Sequence, residues 1–294
     1  MGREESGPMS YKSIVAVASG EKDDALLLTA AAKVAARSSG QVRVVPGYPD
    51  PAADLVYFGA VLNRASDTVV ERVRAGEAVA REHLEMAARE AAAREGVRFD
   101  ACGVGPCLYV DERALLPAIA IAEAAVLADL VMFAGRAARN LYGLAAPFAE
   151  TLLEARAPVL LVKDDQFGFG AAAIAWDGSA QAGRAVRAAM PLLQFAEEVV
   201  ILQNADDLSE QTRASASPEA LIAHLARHGV ARAKSVAMSG DNVAKALLQG
   251  AHEQRCGLLV AGAYGRPRLY ELALGGTTRA LVNAEDRLHL LLAH

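Results

Sequence analysis

Short unbroken apolar runs punctuate the chain, and they come in the same order in each half. The first half offers Ile14–Ala18 (IVAVA), Val42–Val45 (VRVV), residues 97–104, Asp129–Ala134 (DLVMFA) and Pro158–Val162 (PVLLV). The second offers Ala173–Trp176 (AIAW), Val199–Gln203 (VVILQ), Ala233–Met238, Leu258–Ala261 (LLVA) and Leu288–Leu292 (LHLLL). Continuous runs, unlike alternating ones, suit strands covered on both faces, as in a parallel sheet flanked by helices. The stretches between them are helical in character. Gly76–Arg94 is rich in Ala, Glu and Arg, and Ser217-Pro218-Glu219 reads as an N-cap, a first-turn proline and an acidic first turn. Asp111 and Asp241 are placed to cap two more helices. This alternation predicts an α/β fold of two tandem, doubly wound, five-stranded parallel-sheet domains, Rossmann-like in their winding. Sheets of that kind take ligands beyond the carboxyl ends of their strands.

The repeat also sets the expected boundaries, residues 11–163 and 171–294. Ile174 follows Val15 by 159 positions whereas Gly262 follows Gly135 by only 127, so the first half carries an insertion of about 32 residues. The stretch 46–74, with Pro46, Pro49 and Pro51, is its expected place and is read as a longer loop and helix. The connection Lys163–Gly170 (KDDQFGFG) is too short to let the halves separate far, and they are expected to pack as a pseudo-dimer. The apolar run Leu288–Leu292 would be an edge in need of cover, supplied by the other half or by a second copy in a homo-oligomer.

Composition narrows the function. The chain has 294 residues, 53% hydrophobic and 22% charged, with a net charge of −5. A mild negative excess, 5% aromatic residues and a single Trp disfavour nucleic-acid binding, which needs cationic surface and stacking rings. The longest apolar stretches are broken by charge, as by Glu123 and Asp129, so no membrane helix is expected. The N-terminal MGREESGPMSYK has no apolar segment of secretory type, which makes the cytoplasm the default compartment. Cys102, Cys107 and Cys256 form neither a metal-type pair nor a disulfide framework and read as small core residues.

The chemically informative segment follows the fourth run of the second half. Gly262-Ala263-Tyr264-Gly265 is followed by nine residues and then Gly275-Gly276-Thr277-Thr278. A strand leading through glycines to a helix start lets backbone N–H groups close on phosphate oxygens, with Arg266, Arg268 and Arg279 nearby to add charge. The spacing G-x2-G-x9-G resembles the ATP-binding signature of the universal stress protein family. Asp177, in Ala175-Trp176-Asp177-Gly178-Ser179 at the end of the first strand of that half, matches the family's acidic residue at the adenine and ribose end of the site. The resemblance spans nearly the whole chain as two such domains in tandem. It implies that backbone atoms near Gln203 and Ala261 help hold adenine, that Gly262 and Gly265 approach ribose and phosphates, and that Gly275, Gly276 and Thr277 cradle the distal phosphates, with Mg²⁺ accompanying them. Where the family has Ser or Thr directly after the third glycine this chain has Gly276, the hydroxyl arriving one place later at Thr277. One side-chain donor, worth about 0.5–1.5 kcal/mol, is lost, and AMP or ADP competes with ATP as the ligand.

The first half lacks the signature, since Ala138 and Phe148 stand where the second and third glycines belong and Ala18 stands opposite Asp177. It is expected to be a degenerate scaffold, with Arg136 and Arg139 in its loop. Other chemistry is sparse. His224 and His228, four apart on a predicted helix, have the spacing of a metal pair but no H-E-x-x-H glutamate and no evident third ligand. Ser19–Asp24 departs from the S-G-G-x-D-S loop of ATP pyrophosphatases, and there is no Walker A lysine and no nucleophile with a neighbouring His. The expected role is therefore an adenine-nucleotide-binding regulatory or protective module of the stress response, with catalysis secondary at most. The alternatives are a protein-interaction scaffold that binds no nucleotide and, behind it, a slow ATPase.

Overall fold

A computed structural model describes residues 10–48, 67–100, 105–112, 117–139, 143–204, 217–263 and 276–294, with side chains between 67 and 78 left aside. The chain divides into two compact units, Lys12–Ala155 and Arg156–His294, the latter including Tyr11.

The first unit runs β1 (Ser13–Ala18), α1 (Asp24–Ser38), β2 (Gln41–Pro46), α2 (Asp67–Arg94), β3 (Arg98–Phe99), β4 (Cys107–Val110), α3 (Pro117–Val126), β5 (Leu130–Ala134) and α4 (Ala145–Leu153). Its strands are all parallel in the order β3-β4-β2-β1-β5. Ile14 through Ala18 and Leu130 through Ala134 are buried without a break, which is why those runs show no alternation. Alanines Ala30, Ala31, Ala32 and Ala35 on the buried side of α1 keep that helix close to the sheet, and Phe133 meets Phe148 of α4 edge-to-face at 5.9 Å.

The second unit runs β6 (Val159–Val162), β7 (Ala171–Ala175), α5 (Ala180–Leu193), β8 (Glu198–Asn204), α6 (Pro218–Arg227), β9 (Ala233–Met238), α7 (Val243–Glu253), β10 (Leu258–Gly262), α8 (Gly276–Asn283) and β11 (His289–Ala293). The order is β6-β11-β10-β7-β8-β9. All these pairs are parallel except β6 with β11, where Leu160 faces Leu291 antiparallel. The segment after β6 is pinned by rings. Phe167 meets His289 at 5.1 Å and Phe169 at 6.0 Å, and Phe169 in turn meets Phe195 at 5.6 Å, all edge-on. Tyr11 donates its hydroxyl to Ala188 O at 2.5 Å.

The α/β winding agrees with the apolar pattern, and several details refine it. The third strand of the first half is Cys107–Val110, with residues 98–99 contributing only a short outer strand. Cys107 and Leu108 are fully buried, whereas Arg98 and Asp100 are exposed, and burial selects the former. The run Val159–Val162, counted above with the first half, groups with the second unit, where it pairs with β11 and covers that strand's apolar edge. The Asp111 carboxylate takes Arg43 Nε at 2.5 Å, and the residues it would cap, 113–116, lie outside the described residues. Asn242 and not Asp241 caps α7, its Oδ1 accepting from Lys245 N at 3.0 Å. Ser217 does cap α6, accepting from Ala220 N at 3.2 Å. Of the insertion, α2 begins at Asp67, ahead of Gly76, and residues 49–66 lie outside the described residues.

Candidate functional site

In the second unit the chain winds outward from β7 through β8 to β9, then returns across β7 to β10 and β11. The winding reverses between β7 and β10, and open α/β sheets take ligands at such a point, beyond the carboxyl edge of their strands. Register brings three of the predicted positions to that edge. Ala175 pairs with Leu202, so Trp176 comes level with Gln203. Val260 pairs with Ile174, which sets Gly262 level with Trp176 and Ala263 level with Asp177. Trp176 N donates to Leu202 O at 3.0 Å, extending the ladder one residue past β7.

Beyond Trp176 the chain turns sharply into α5. Gly178 has φ +73°, a left-handed conformation that costs glycine little. Asp177 Oδ1 accepts from Ser179 N at 2.9 Å, and Ser179 Oγ caps α5 by accepting from Ala182 N at 3.1 Å. Asp177 is exposed, so its carboxylate holds the turn with one oxygen and leaves the other at the carboxyl edge of the sheet. The cap at Ser179 follows from its side chain and position, but the likeness that singled out Asp177 gave it no role.

Gly262 has a structural reason of its own. A Cβ there would lie 2.6 Å from Ala182 N and 2.7 Å from Gln181 C, inside the first turn of α5. Ala261 is 3% exposed and pairs with Leu292. Ala263 N donates to Ala293 O at 2.8 Å, fixing the exit from β10. Next to Gln203, Asn204 is buried and donates from Nδ2 to Gly240 O at 2.9 Å, tying the end of β8 to the loop before α7. The pattern search missed this brace, whose partner is 36 residues away.

Gly276 and Thr277 open α8 and are both exposed, whereas Thr278 is buried. Because β10 and β11 are parallel, the helix joining them runs back across the sheet, which sets its N-terminus at the carboxyl edge. A Cβ on Gly276 would meet nothing within 4 Å. Gly265 and Gly275, with Arg266 and Arg268, lie outside the described residues. The far end of α8 is clamped: Lys163 Nζ donates to Leu281 O at 3.1 Å, Ala284 O at 3.3 Å and Asp286 Oδ1 at 2.9 Å.

No protein-family model and no curated protein matches the sequence. Solved structures do. A universal stress protein from Archaeoglobus fulgidus DSM 4304 superposes with a TM-score of 0.65 at 16% identity, over 96% of this chain and 97% of that one. A functionally unknown protein from Pseudomonas aeruginosa PAO1 gives 0.51 at 16% identity, over 96% and 92%. A protein from P. aeruginosa UCBPP-PA14, provisionally described as a universal stress protein, gives 0.52 at 16%, over 96% and 93%. The fold is that of universal stress proteins.

The corresponding edge of the first unit, between β1 and β5, is built differently. Asp24, buried at the start of α1, accepts from Ser19 N, Ser19 Oγ and Gly20 N, each at 2.8 Å. Burial raises the carboxyl's pKa above the ordinary value despite these bonds. The chain's own carboxylate thus occupies the amides of the loop, where the second unit has an exposed one. Arg136, after β5, lies 3.7 Å from Asp23. Among the other chemistry-bearing groups, burial pushes the Cys256 thiol up to about 11, so it is unreactive at neutral pH. No helix among the described residues is long and apolar enough to cross a membrane. No group of three or more His, Cys, Asp or Glu among them is arranged to hold a metal.

Proposed function

We propose that the chain binds an adenine nucleotide, ATP or in competition with it AMP or ADP, at the carboxyl edge between β7 and β10, and acts as a regulatory or protective module of the universal stress type. The observation that carries the reading is the exposed Asp177 carboxylate at the point where the sheet winding reverses. Its free oxygen suits the two hydroxyls of a ribose, and the open first turn at Gly276 and Thr277 suits phosphate, which N-terminal helix amides attract. Mg²⁺ would be held chiefly through the phosphates, as is usual for an ion that keeps much of its water. Gly262 does not add to the case, because α5 explains why it is glycine.

The first unit would serve as a scaffold, its corresponding loop amides being taken by Asp24. The test is to denature freshly purified protein, identify any released nucleotide by chromatography and mass spectrometry, and titrate the emptied protein with ATP and Mg²⁺. About one adenine nucleotide per chain, lost in Gly265→Val and weakened in Asp177→Ala, is expected. An empty protein that also fails to bind added nucleotide would replace this reading with that of a partner-binding scaffold.

A further inference from the structure

His224 and His228 sit on the last turn of α6 and at its C-cap, and their rings lie 4.5 Å apart between centroids, inclined by 53°. Both are partly exposed, on a helix whose Leu221 and Leu225 face the core. The backbone under them is fixed. Gln194 Nε2 donates to His228 O at 2.7 Å, Val230 N donates to Leu225 O at 3.0 Å, and Gly229, at φ +84°, ends the helix.

We propose that His224 and His228 form a two-imidazole chelate for one divalent late transition ion, Cu²⁺ or Ni²⁺, away from the sheet edge assigned to nucleotide. A metal bound to an imidazole nitrogen at 2.0–2.1 Å lies about 3.2 Å from the ring centroid. Two rings on one ion would then have centroids about 4.5 Å apart for a right-angled pair and about 5.2 Å for a tetrahedral one. The separation in this helix matches the first, which is the angle of square-planar and tetragonal ions. Spacing of four residues puts both rings on one helix face, and each neutral imidazole carries one nitrogen lone pair that a metal can take. The chain supplies two ligands, and solvent fills the remaining positions. Arg227 on the same helix and Arg187 on α5 are the cations that bear on His224, and they oppose the bound charge.

The experiment uses the full chain, stripped with chelator and titrated with NiCl₂ and separately CuSO₄ by calorimetry. One ion per chain is expected at the tightest site. His224→Ala and His228→Ala should each lower affinity by about tenfold or more, while His252→Ala on α7 leaves it unchanged. Circular dichroism checks that each variant is folded, and His224→Gln and His228→Gln replace any that is not. Absence of binding by the unsubstituted chain, survival of the site in either single variant, or loss in only one of them would each overturn the chelate.

Discussion

Lys163 reaches Asp286 at 2.9 Å with only 2% of its side chain exposed, and its ammonium also donates to the carbonyls of Leu281 and Ala284. A cation at a helix C-terminus is favoured by the helix dipole, and here it also neutralises a carboxylate that is 12% exposed. Asp286 Oδ2 is buried with no hydrogen-bond partner, so the pair depends on the one contact. Lys163→Met should therefore destabilise the protein by about 3 kcal/mol in urea unfolding, since it leaves a carboxylate without its counter-charge. The double variant Lys163→Met/Asp286→Leu should recover much of that loss. A cycle in which the two substitutions simply add would show that the clamp is not a pair.

Gly262 is expected to act through packing. A methyl group there meets backbone atoms of Gln181 and Ala182, which cannot swing aside as a side-chain end can. Gly262→Ala should cost about 1–3 kcal/mol of stability in protein stripped of nucleotide, with the first turn of α5 displaced. If the ligand-free stability is unchanged, the glycine serves only a ligand.

The contrast between Gly262 and Gly178 shows what was legible in the sequence. Gly178 follows the acidic residue at a turn into a helix that Ser179 caps, and all three roles follow from local rules of turn and cap. The reason for Gly262 is the approach of α5, whose first turn is some 80 residues earlier, and no local pattern carries it. The same difference separates β1, whose uninterrupted apolar run reports burial on both faces, from β6, whose run reports burial equally well but not its antiparallel partner β11. Asp111 had the composition of a cap and was claimed by Arg43, 68 residues away. Gln203, Gly262 and Asp177 stand at one edge of the sheet because strand register sets the ends of β7, β8 and β10 level. Gly265 and Gly275 lie outside the described residues, so that part of the candidate site rests on spacing alone.

Asp164 gives the acid side of the stability profile a definite sign. Its carboxyl bonds to the Arg287 side chain and accepts from Gln166 N at 2.8 Å, and the Arg287 bond above all holds its pKa far below the usual carboxylate range. A depressed folded pKa means that the contribution is fully present above the unfolded value, about 3.9, and is lost as pH falls toward the folded one. Arg287 is 72% exposed, so water screens the pair and keeps its worth small. Asp164→Asn should thus be destabilising at pH 6, with the gap to the unsubstituted protein narrowing as pH falls below about 4. Urea unfolding at pH 6 and pH 3 measures it, and a gap that widens toward acid would contradict the ion pair.

Asp177→Asn separates the structural use of this residue from its proposed use in binding. Asn keeps an oxygen that accepts from Ser179 N, so the turn into α5 and the cap on Ala182 N survive. Stability should stay within about 0.5 kcal/mol of the unsubstituted protein. What Asn cannot supply is the second anionic oxygen, and a hydrogen bond from a ribose hydroxyl to a charged acceptor is worth about 1.5–3 kcal/mol. Affinity for ATP should accordingly fall about tenfold or more, with AMP affected alike because both carry the same ribose. Equal loss for the two nucleotides at unchanged stability would assign Asp177 to the nucleoside end. Loss for ATP alone would move it to the phosphates, and unchanged affinity for both would remove it from the site.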